Sequence, residues 1–138
     1  MQEIFSIKSY ISVGSFLFGM NKQEVETLFS REPDRVKKGF TGKLGMYWDN
    51  IVIKFNELDQ ADEISFVSGG KYNVSYCDID LFQDSLAKEK LDSIELPKSV
   101  VGFDVYFSIG IAITGFTAND TSKTVTVFDK SLIPIWEK

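Results

Sequence analysis

Few residues of this chain belong to the types that carry out catalysis. It contains no histidine and a single cysteine, Cys77. Histidine is the commonest general base and metal ligand near neutral pH, so Ser-His-Asp and Cys-His arrangements and histidine-based zinc sites are excluded. Cys77 follows Tyr76 at a predicted strand end, a position more typical of a small buried residue than of a nucleophile. We therefore predict a protein that is not an enzyme and that binds no metal or other cofactor.

Carboxylates are concentrated in two segments. One lies between two predicted strands, and the other surrounds the start of a predicted helix. They are Glu57, Asp59, Asp62 and Glu63 in the first, and Asp78, Asp80 and Asp84 in the second. Three interpretations compete: a solvated loop with a dipole-stabilised helix start, acid–base or calcium chemistry, and an acidic patch for a basic partner. Neither segment has the regular residue spacing of a calcium loop. The functional hypothesis is therefore that both segments belong to an acidic patch that binds a basic partner.

Aromatic residues are the other surplus, with 12 phenylalanines among 138 residues. Two adjacent pairs, Tyr47-Trp48 and Tyr106-Phe107, fall on predicted strands. Consecutive strand residues point to opposite faces, so at least one member of each pair leaves the helix-covered core. They form either a second core layer or exposed anchors for a partner. We predict that all four belong to the partner-binding surface, beside the acidic segments.

The charge balance narrows the choice of partner. Fifteen basic and 20 acidic residues give a net charge of −5. Nucleic-acid binders need a basic footprint, and anionic membrane surfaces attract basic segments, so neither partner is expected. A basic protein is the partner that this charge would steer, although the charge also serves solubility.

The first half reads as a helix followed by strands. Asn21 is a good N-cap and Glu24 completes a capping box, which predicts a helix over 22–30. Strands are predicted at 44–48 and 51–55 around the two-residue turn Asp49-Asn50, then at 64–67 and 72–76.

The second half repeats this order. Asp78 or Asp80 is expected to cap a helix over 80–90, and strands follow near 102–108, 111–114 and 124–128, with a turn at 119–120. Pro33-x-x-Val36 corresponds to Pro97-x-x-Val100, and Ile51 corresponds to Ile111 at a shift of about 60 residues. Chance similarity between two α+β halves is the alternative to an internal duplication.

Together these elements predict the fold. We expect one α+β domain over 1–138, with a mainly antiparallel sheet of six or more strands and two or more helices on one face. The repeat units would span about 16–68 and 78–129 and would leave the other sheet face open. The N-terminus lacks a basic region followed by an apolar run, which favours a cytoplasmic protein unless a signal peptide has been removed.

One short motif carries a family resemblance. The stretch Phe18-Gly19-Met20-Asn21-Lys22-Gln23-Glu24-Val25, followed by Glu32-Pro33-Asp34, resembles a "Gly-Met-x-x-x-Glu-Val … Pro" helix that precedes a hairpin. Outer-membrane assembly lipoproteins of the SmpA/BamE type have this arrangement, and the β-lactamase inhibitor protein fold carries it in duplicate. The resemblance implies binding of other proteins through the sheet. The chain lacks the lipidation cysteine that those lipoproteins carry near their start.

The overall profile is also similar to that of immunity proteins of bacterial toxin systems, which are small, acidic and aromatic-rich. We therefore expect a non-catalytic protein-binding inhibitor that neutralises a cognate basic toxin domain, such as a nuclease. The alternative is a small-ligand-binding or cell-envelope accessory module, in which the aromatic residues line a pocket. An enzyme that uses carboxylates alone is a third hypothesis.

Overall fold

The computed structural model describes residues 3–39, 42–116 and 122–137. Up to the middle of the chain the elements are β1 Glu3–Lys8, β2 Ser12–Val13, β3 Phe16–Leu17, α1 Lys22–Phe29, β4 Arg35–Lys38, β5 Leu44–Trp48, β6 Ile51–Phe55, β7 Ala61–Val67, β8 Tyr72–Tyr76 and β9 Ile79–Asp80. They continue with α2 Ala87–Ile94, β10 Lys98–Val100, β11 Phe103–Tyr106, β12 Ile111–Thr114, β13 Thr124–Phe128, a 3-10 turn Lys130–Leu132 and α3 Ile133–Trp136.

Eight strands form one large antiparallel sheet in the order β10-β11-β12-β13-β7-β6-β5-β4. The predicted α+β class and mainly antiparallel sheet are therefore confirmed. Each half of the sheet is a helix followed by four consecutive strands, and β7 and β13 join the halves at the centre. These sets of elements span 22–67 and 87–128. The origin of this arrangement by duplication stays a prediction.

A second, smaller sheet was not foreseen. It has the order β3-β2-β1-β8-β9, and β1 runs parallel to β8 with Glu3 opposite Tyr72 and Ser6 opposite Ser75. The predicted strand at 72–76 is correct, but it leaves the large sheet and pairs with the chain's first strand. Parallel pairing across so many residues has no local sequence signal.

Local chemistry explains the elements that were predicted correctly. Asn21 accepts a hydrogen bond from the Glu24 N–H, and the Glu24 carboxylate accepts one from the Asn21 N–H, so the capping box is formed at α1. The turn between β5 and β6 places Asp49 at a positive φ of 49°, a conformation that Asp tolerates. The predicted turn at 119–120 lies outside the described residues.

The predicted start of the second helix is wrong. Asp80 accepts hydrogen bonds from the N–H groups of Phe82 and Gln83, but this cap closes only a turn. Asp84 then caps the next turn through the Leu86 N–H, and α2 begins only at Ala87. The apolar pattern predicted one helix here, but Asp80 and Asp84 each cap a separate turn before α2 begins.

The main core lies on one face of the large sheet. Residues of the sheet such as Ile53 and Ile64 pack there against α1, α2 and the small sheet, whose buried contributions include Val25, Leu91 and Phe5. The placement of α1 and α2 on one face is as predicted.

The opposite, outer face is partly covered. Over β10–β13, Phe128 and its neighbours pack against Leu132 and Trp136 of the C-terminal helical segment 130–136. Hence the expectation of an open outer face holds only for the half built from β4–β6. The segment 130–136 was not predicted from the sequence.

Candidate partner-binding surface

Trp48 is not available to a partner. Its side chain is fully buried, its ring stacks on Phe29 with centroids 4.5 Å apart, and its Nε1–H donates to the Arg31 carbonyl at 3.1 Å. The β5–β6 register places Trp48 opposite Ile51 on the core face. The prediction of an exposed anchor at this position is therefore wrong.

Tyr106 is buried for a similar reason. It lies opposite Ile111 on the core face, and its hydroxyl donates to Asp92 Oδ1 at 2.5 Å. Burial and the neighbouring Asp92 carboxylate raise the pKa of Tyr106 well above its ordinary value. Phe107 is half-buried, with its ring 6.4 Å from that of Phe128. The prediction that this pair anchors a partner is wrong for Tyr106, and Phe107 belongs to the cluster on the outer face.

Tyr47 is the one member of the predicted aromatic set that lies on the open half of the outer face. It is half-buried, and the guanidinium of Arg35 lies over its ring with Cζ 4.4 Å from the centroid. Lys54, on the same face, pairs with Glu63 at 3.5 Å. The accessible aromatic residue is thus accompanied by the cations Arg35 and Lys54 and by one residue of the predicted acidic set, Glu63, which is half-buried and paired with Lys54.

The first acidic segment is divided between a tight turn, 56–60, that carries Glu57 and Asp59, and strand β7, which carries Asp62 and Glu63. Asn56 organises the turn, because its Oδ1 accepts from the N–H groups of Leu58 and Gln60. Asp59 adopts a positive φ of 58° and pairs with Lys22 at 3.2 Å. Glu57 and Asp59 are exposed as predicted, and Leu58 between them is 77% exposed.

Asp62, from the same predicted set, is buried with only 4% of its surface exposed. Lys43 Nζ lies 2.7 Å from Asp62 Oδ1, although that oxygen has no well-aligned hydrogen bond among the described residues. Burial raises the pKa of Asp62, and Lys43 works in the opposite direction. The expectation that Asp62 presents its charge to a partner is therefore wrong.

An open cavity of about 740 Å³ lies beside this turn, at the end of the large sheet. We call it the end cavity. Lys22, the residues before β5, the β6–β7 turn and the C-terminal helical segment enclose it. Its lining is Lys22, Lys38, Gly42, Lys43, Leu44, Phe55, Asn56, Glu57, Leu58, Asp59, Asp62, Ser131, Leu132 and Ile135. Leu58 and Ile135, which is 62% exposed, give the cavity accessible apolar side chains.

The second acidic segment lies elsewhere. None of its three predicted residues lines the end cavity as described. Asp84 is held by Lys90, which lowers the pKa of Asp84, and Asp80 is half-buried in its capping role. Asp78 is exposed at the turn between β8 and β9. Cys77, expected to be buried, is exposed at this same turn.

Sequence reasoning missed the apolar members of the surface. Leu58 stands alone among polar residues in a turn, which is itself a signal that the side chain is exposed. Ile135 belongs to the run Ile133-Pro134-Ile135-Trp136, where Pro occupies the first turn of α3. That run is a readable helix start.

Comparison with known proteins adds no relationship. No family model, curated protein or solved structure matches the chain. Within residues 3–39, 42–116 and 122–137, no group of three or more His, Cys, Asp or Glu side chains is placed to hold a metal ion. In the same part of the chain, no helix is long and apolar enough to cross a membrane.

Proposed function

We propose that this chain is a non-catalytic protein-binding inhibitor. Its most concrete form is an immunity protein that neutralises a cognate bacterial toxin in the cytoplasm by covering the toxin's active site. The end cavity is the proposed contact surface. The observation that carries the proposal is the exposure of Leu58 and Ile135, at 77% and 62%, among the residues that line one concavity.

Exposed apolar side chains beside a cavity are costly in a free protein and become favourable when a partner covers them. Burying each large aliphatic side chain is worth about 1.5–3 kcal/mol relative to leaving it in water. Glu57 and Asp59 flank Leu58, so an apolar contact is bordered by carboxylates. Opposite this turn, the proposed partner surface would be apolar at Leu58 and basic at Glu57 and Asp59. Elsewhere in the cavity it would offer polar or acidic groups to Lys38 and Lys43.

The similar order of elements in the two halves also supports a binding role. We propose that the two halves, each a helix followed by four strands, descend from one ancestral unit. An eight-stranded sheet made in this way provides a rigid base. Residues fixed on such a base lose little conformational freedom when a partner binds.

The direct test uses the toxin domain encoded beside this gene, if there is one. Isothermal titration should show a tight complex, and the complex should lack the toxin's activity. Leu58→Ser and Ile135→Ser should each weaken binding by about tenfold or more. Leu96→Ser is the matched control, because Leu96 is 85% exposed but does not line the cavity. Equal effects of all three substitutions would contradict the proposed surface.

Electrostatic steering is tested separately. Reversing Glu57 and Asp59 to Lys should reduce the association rate and flatten its dependence on salt. An association rate that does not change with salt in the original chain would remove the electrostatic part of the proposal while leaving the apolar part in place.

The second candidate function is a small-ligand-binding module. The end cavity favours it, since about 740 Å³ lies within the range of roughly 300–1,000 Å³ typical of ligand sites. Its charged lining of Lys22, Lys38, Lys43, Glu57, Asp59 and Asp62 suits a ligand that carries both charges. Native mass spectrometry of the protein purified without unfolding would show a retained ligand, which a partner-only surface would lack.

A further inference from the structure

β4 is an edge of the large sheet with unusual chemistry for an acidic protein. It occupies the end of the strand order and pairs with β5 alone among the described strands. All four of its residues, Arg35 to Lys38, are exposed. Three of the four are cations, whereas the chain as a whole carries a net charge of −5.

The backbone of β4 has groups free to accept another strand. The Gly39 N–H donates to the Lys43 carbonyl, which fixes the alternation of hydrogen bonds between β4 and β5. Because hydrogen-bonded and outward-facing residues alternate along the strand, the backbone N–H and C=O groups of Arg35 and Lys37 form hydrogen bonds with β5. The N–H and C=O groups of Val36 and Lys38 therefore point away from the sheet, toward solvent.

The positive charges on this edge also lack a carboxylate partner among the described residues. Within the part of the chain that the structure describes, no carboxylate lies within ion-pair distance of Arg35, Lys37 or Lys38. Arg35 is held over Tyr47, so its guanidinium is already ordered. Val36 is 52% exposed and lies opposite Met46, so its side chain is on the other face of the strand from Arg35 and Lys37.

We propose that β4 binds an acidic, extended segment of a partner protein, which adds to the large sheet as a further strand. Acidic side chains on one face of the added strand would meet Arg35 and Lys37. Backbone hydrogen bonds to Val36 and Lys38 would supply the remaining contact. Lys38 also lines the end cavity, whereas Arg35, Val36 and Lys37 are not among its lining residues. The inference does not rest on the proposed function.

Charge excludes the simplest competing occupant. Lysine on an edge strand is a common protection against pairing between copies of the same protein. Two β4 strands brought together would place Arg35, Lys37 and Lys38 of one copy against the same cations of the other. The same cations do not repel an acidic strand. The positive charge that opposes pairing between two copies of β4 therefore favours an acidic partner.

The test uses two labelled peptides, one alternating Glu and Val and the other alternating Lys and Val, in fluorescence anisotropy. The Glu peptide should bind, with an affinity that falls with salt, and the Lys peptide should not. The double variant R35E/K37E should weaken binding by about tenfold or more. K98E is the matched control, because Lys98 is an exposed cation on β10, the opposite edge of the same sheet, and should change binding by less than about twofold.

Val36→Pro separates strand addition from simple charge attraction. Proline removes the outward N–H of Val36 without removing a β4–β5 hydrogen bond, so the variant should fold and lose most of its peptide binding. Val36→Thr keeps the N–H and should bind like the original chain. Should Val36→Pro fail to fold, hydrogen exchange of the Val36 and Lys38 amides decides instead, and both should slow when the Glu peptide is added.

Equal binding of the two peptides, or an effect of K98E as large as that of R35E/K37E, would overturn the proposal. Full binding by Val36→Pro, or unchanged exchange at Val36 and Lys38, would overturn strand addition.

Discussion

The hydroxyl of Tyr106 donates a hydrogen bond of 2.5 Å to Asp92 Oδ1 and so joins β11 to α2. Lys88 lies on the other side of the carboxylate, with Nζ 2.9 Å from Asp92 Oδ2. Tyr106 is fully buried, whereas Asp92 is only half-buried. The polar tip of a core aromatic residue therefore reaches a carboxylate at the border of the core.

Tyr106→Phe should lower the free energy of unfolding by about 1.5–3 kcal/mol, the usual range for a hydrogen bond to a charged group. Urea denaturation followed by fluorescence measures this. Tyr76→Phe is the control, since the Tyr76 hydroxyl makes only a 3.3 Å contact with Ser9 Oγ. Equal losses of unfolding free energy in the two variants would show that the hydrogen bond to Asp92 contributes no more to stability than the contact of Tyr76.

The same pair predicts a dependence on pH. Burial opposes ionisation of Asp92, but the hydrogen bonds from Tyr106 and Lys88 hold its pKa below the ordinary value. A lowered folded-state pKa contributes stability above the ordinary Asp pKa of about 3.9, and this stability is lost as the pH falls through the folded-state pKa. Tyr106→Phe should therefore lose less stability on acidification than the original chain. A larger acid-induced loss in Tyr106→Phe would contradict this sign.

Tyr47 and Trp48 are adjacent but should respond differently to truncation. Trp48→Ala should cost about 3–5 kcal/mol because it opens a cavity beside Phe29 and removes the hydrogen bond to the Arg31 carbonyl. Tyr47→Ala should cost about 1 kcal/mol or less. Thermal unfolding of both variants checks the assignment of faces. A costly Tyr47→Ala together with a tolerated Trp48→Ala would reverse it.

Asp62→Asn should raise the stability of the protein near neutral pH. Burial raises the folded-state pKa of Asp62, so its charged form is disfavoured once the pH exceeds that pKa. The stability that its protonated form allows is present below the ordinary Asp pKa and lost as the pH rises through the folded-state pKa. The gain from Asn should therefore shrink as the pH is lowered.

Asp59→Asn is the control, because Asp59 is exposed and its pair with Lys22 should be worth about 1 kcal/mol or less. Denaturation at several pH values distinguishes the two substitutions. A destabilised Asp62→Asn at neutral pH would show that the pair with Lys43 outweighs the cost of burying the charge.

Val101 occupies a conformation that β-branched residues rarely adopt, with φ at 41° in the turn between β10 and β11. Its side chain is 87% exposed and contributes little packing. Val101→Gly should raise the free energy of unfolding by about 0.5–1 kcal/mol, because relief of the left-handed strain exceeds the added flexibility of glycine. Val100→Gly should be destabilising, since Val100 is buried. A loss of stability in both variants would contradict the strain.

Elements with local chemical signals were predictable from the sequence. The reciprocal hydrogen bonds of Asn21 and Glu24 and the turn at Asp49 and Asn50 involve residues close together in the chain, and both were placed correctly. The start of α2 was misplaced because Asp80 and Asp84 each cap a turn of their own, which composition does not distinguish from a single helix cap.

Which residue of an adjacent aromatic pair faces the core was not predictable, because both Tyr47 and Trp48 suit either side of a strand. The register with Ile51 decides it, and register follows from packing of the whole sheet. Glu57 and Asp62, five residues apart, also differ in exposure, because Glu57 lies in the turn whereas Asp62 lies on β7. The end cavity is lined by segments that are distant in the chain, so no single stretch of sequence predicts it.

The pairing of β1 with β8 sets an order of events during synthesis. Glu3–Lys8 leaves the ribosome before its partner Tyr72–Tyr76, which emerges about 70 residues later, roughly 4–14 s at typical elongation rates. Until then β1 can pair with β2 on one edge, but its other edge has no strand to join. The nascent chain therefore passes through an interval in which one edge of β1 is open to pairing with other strands.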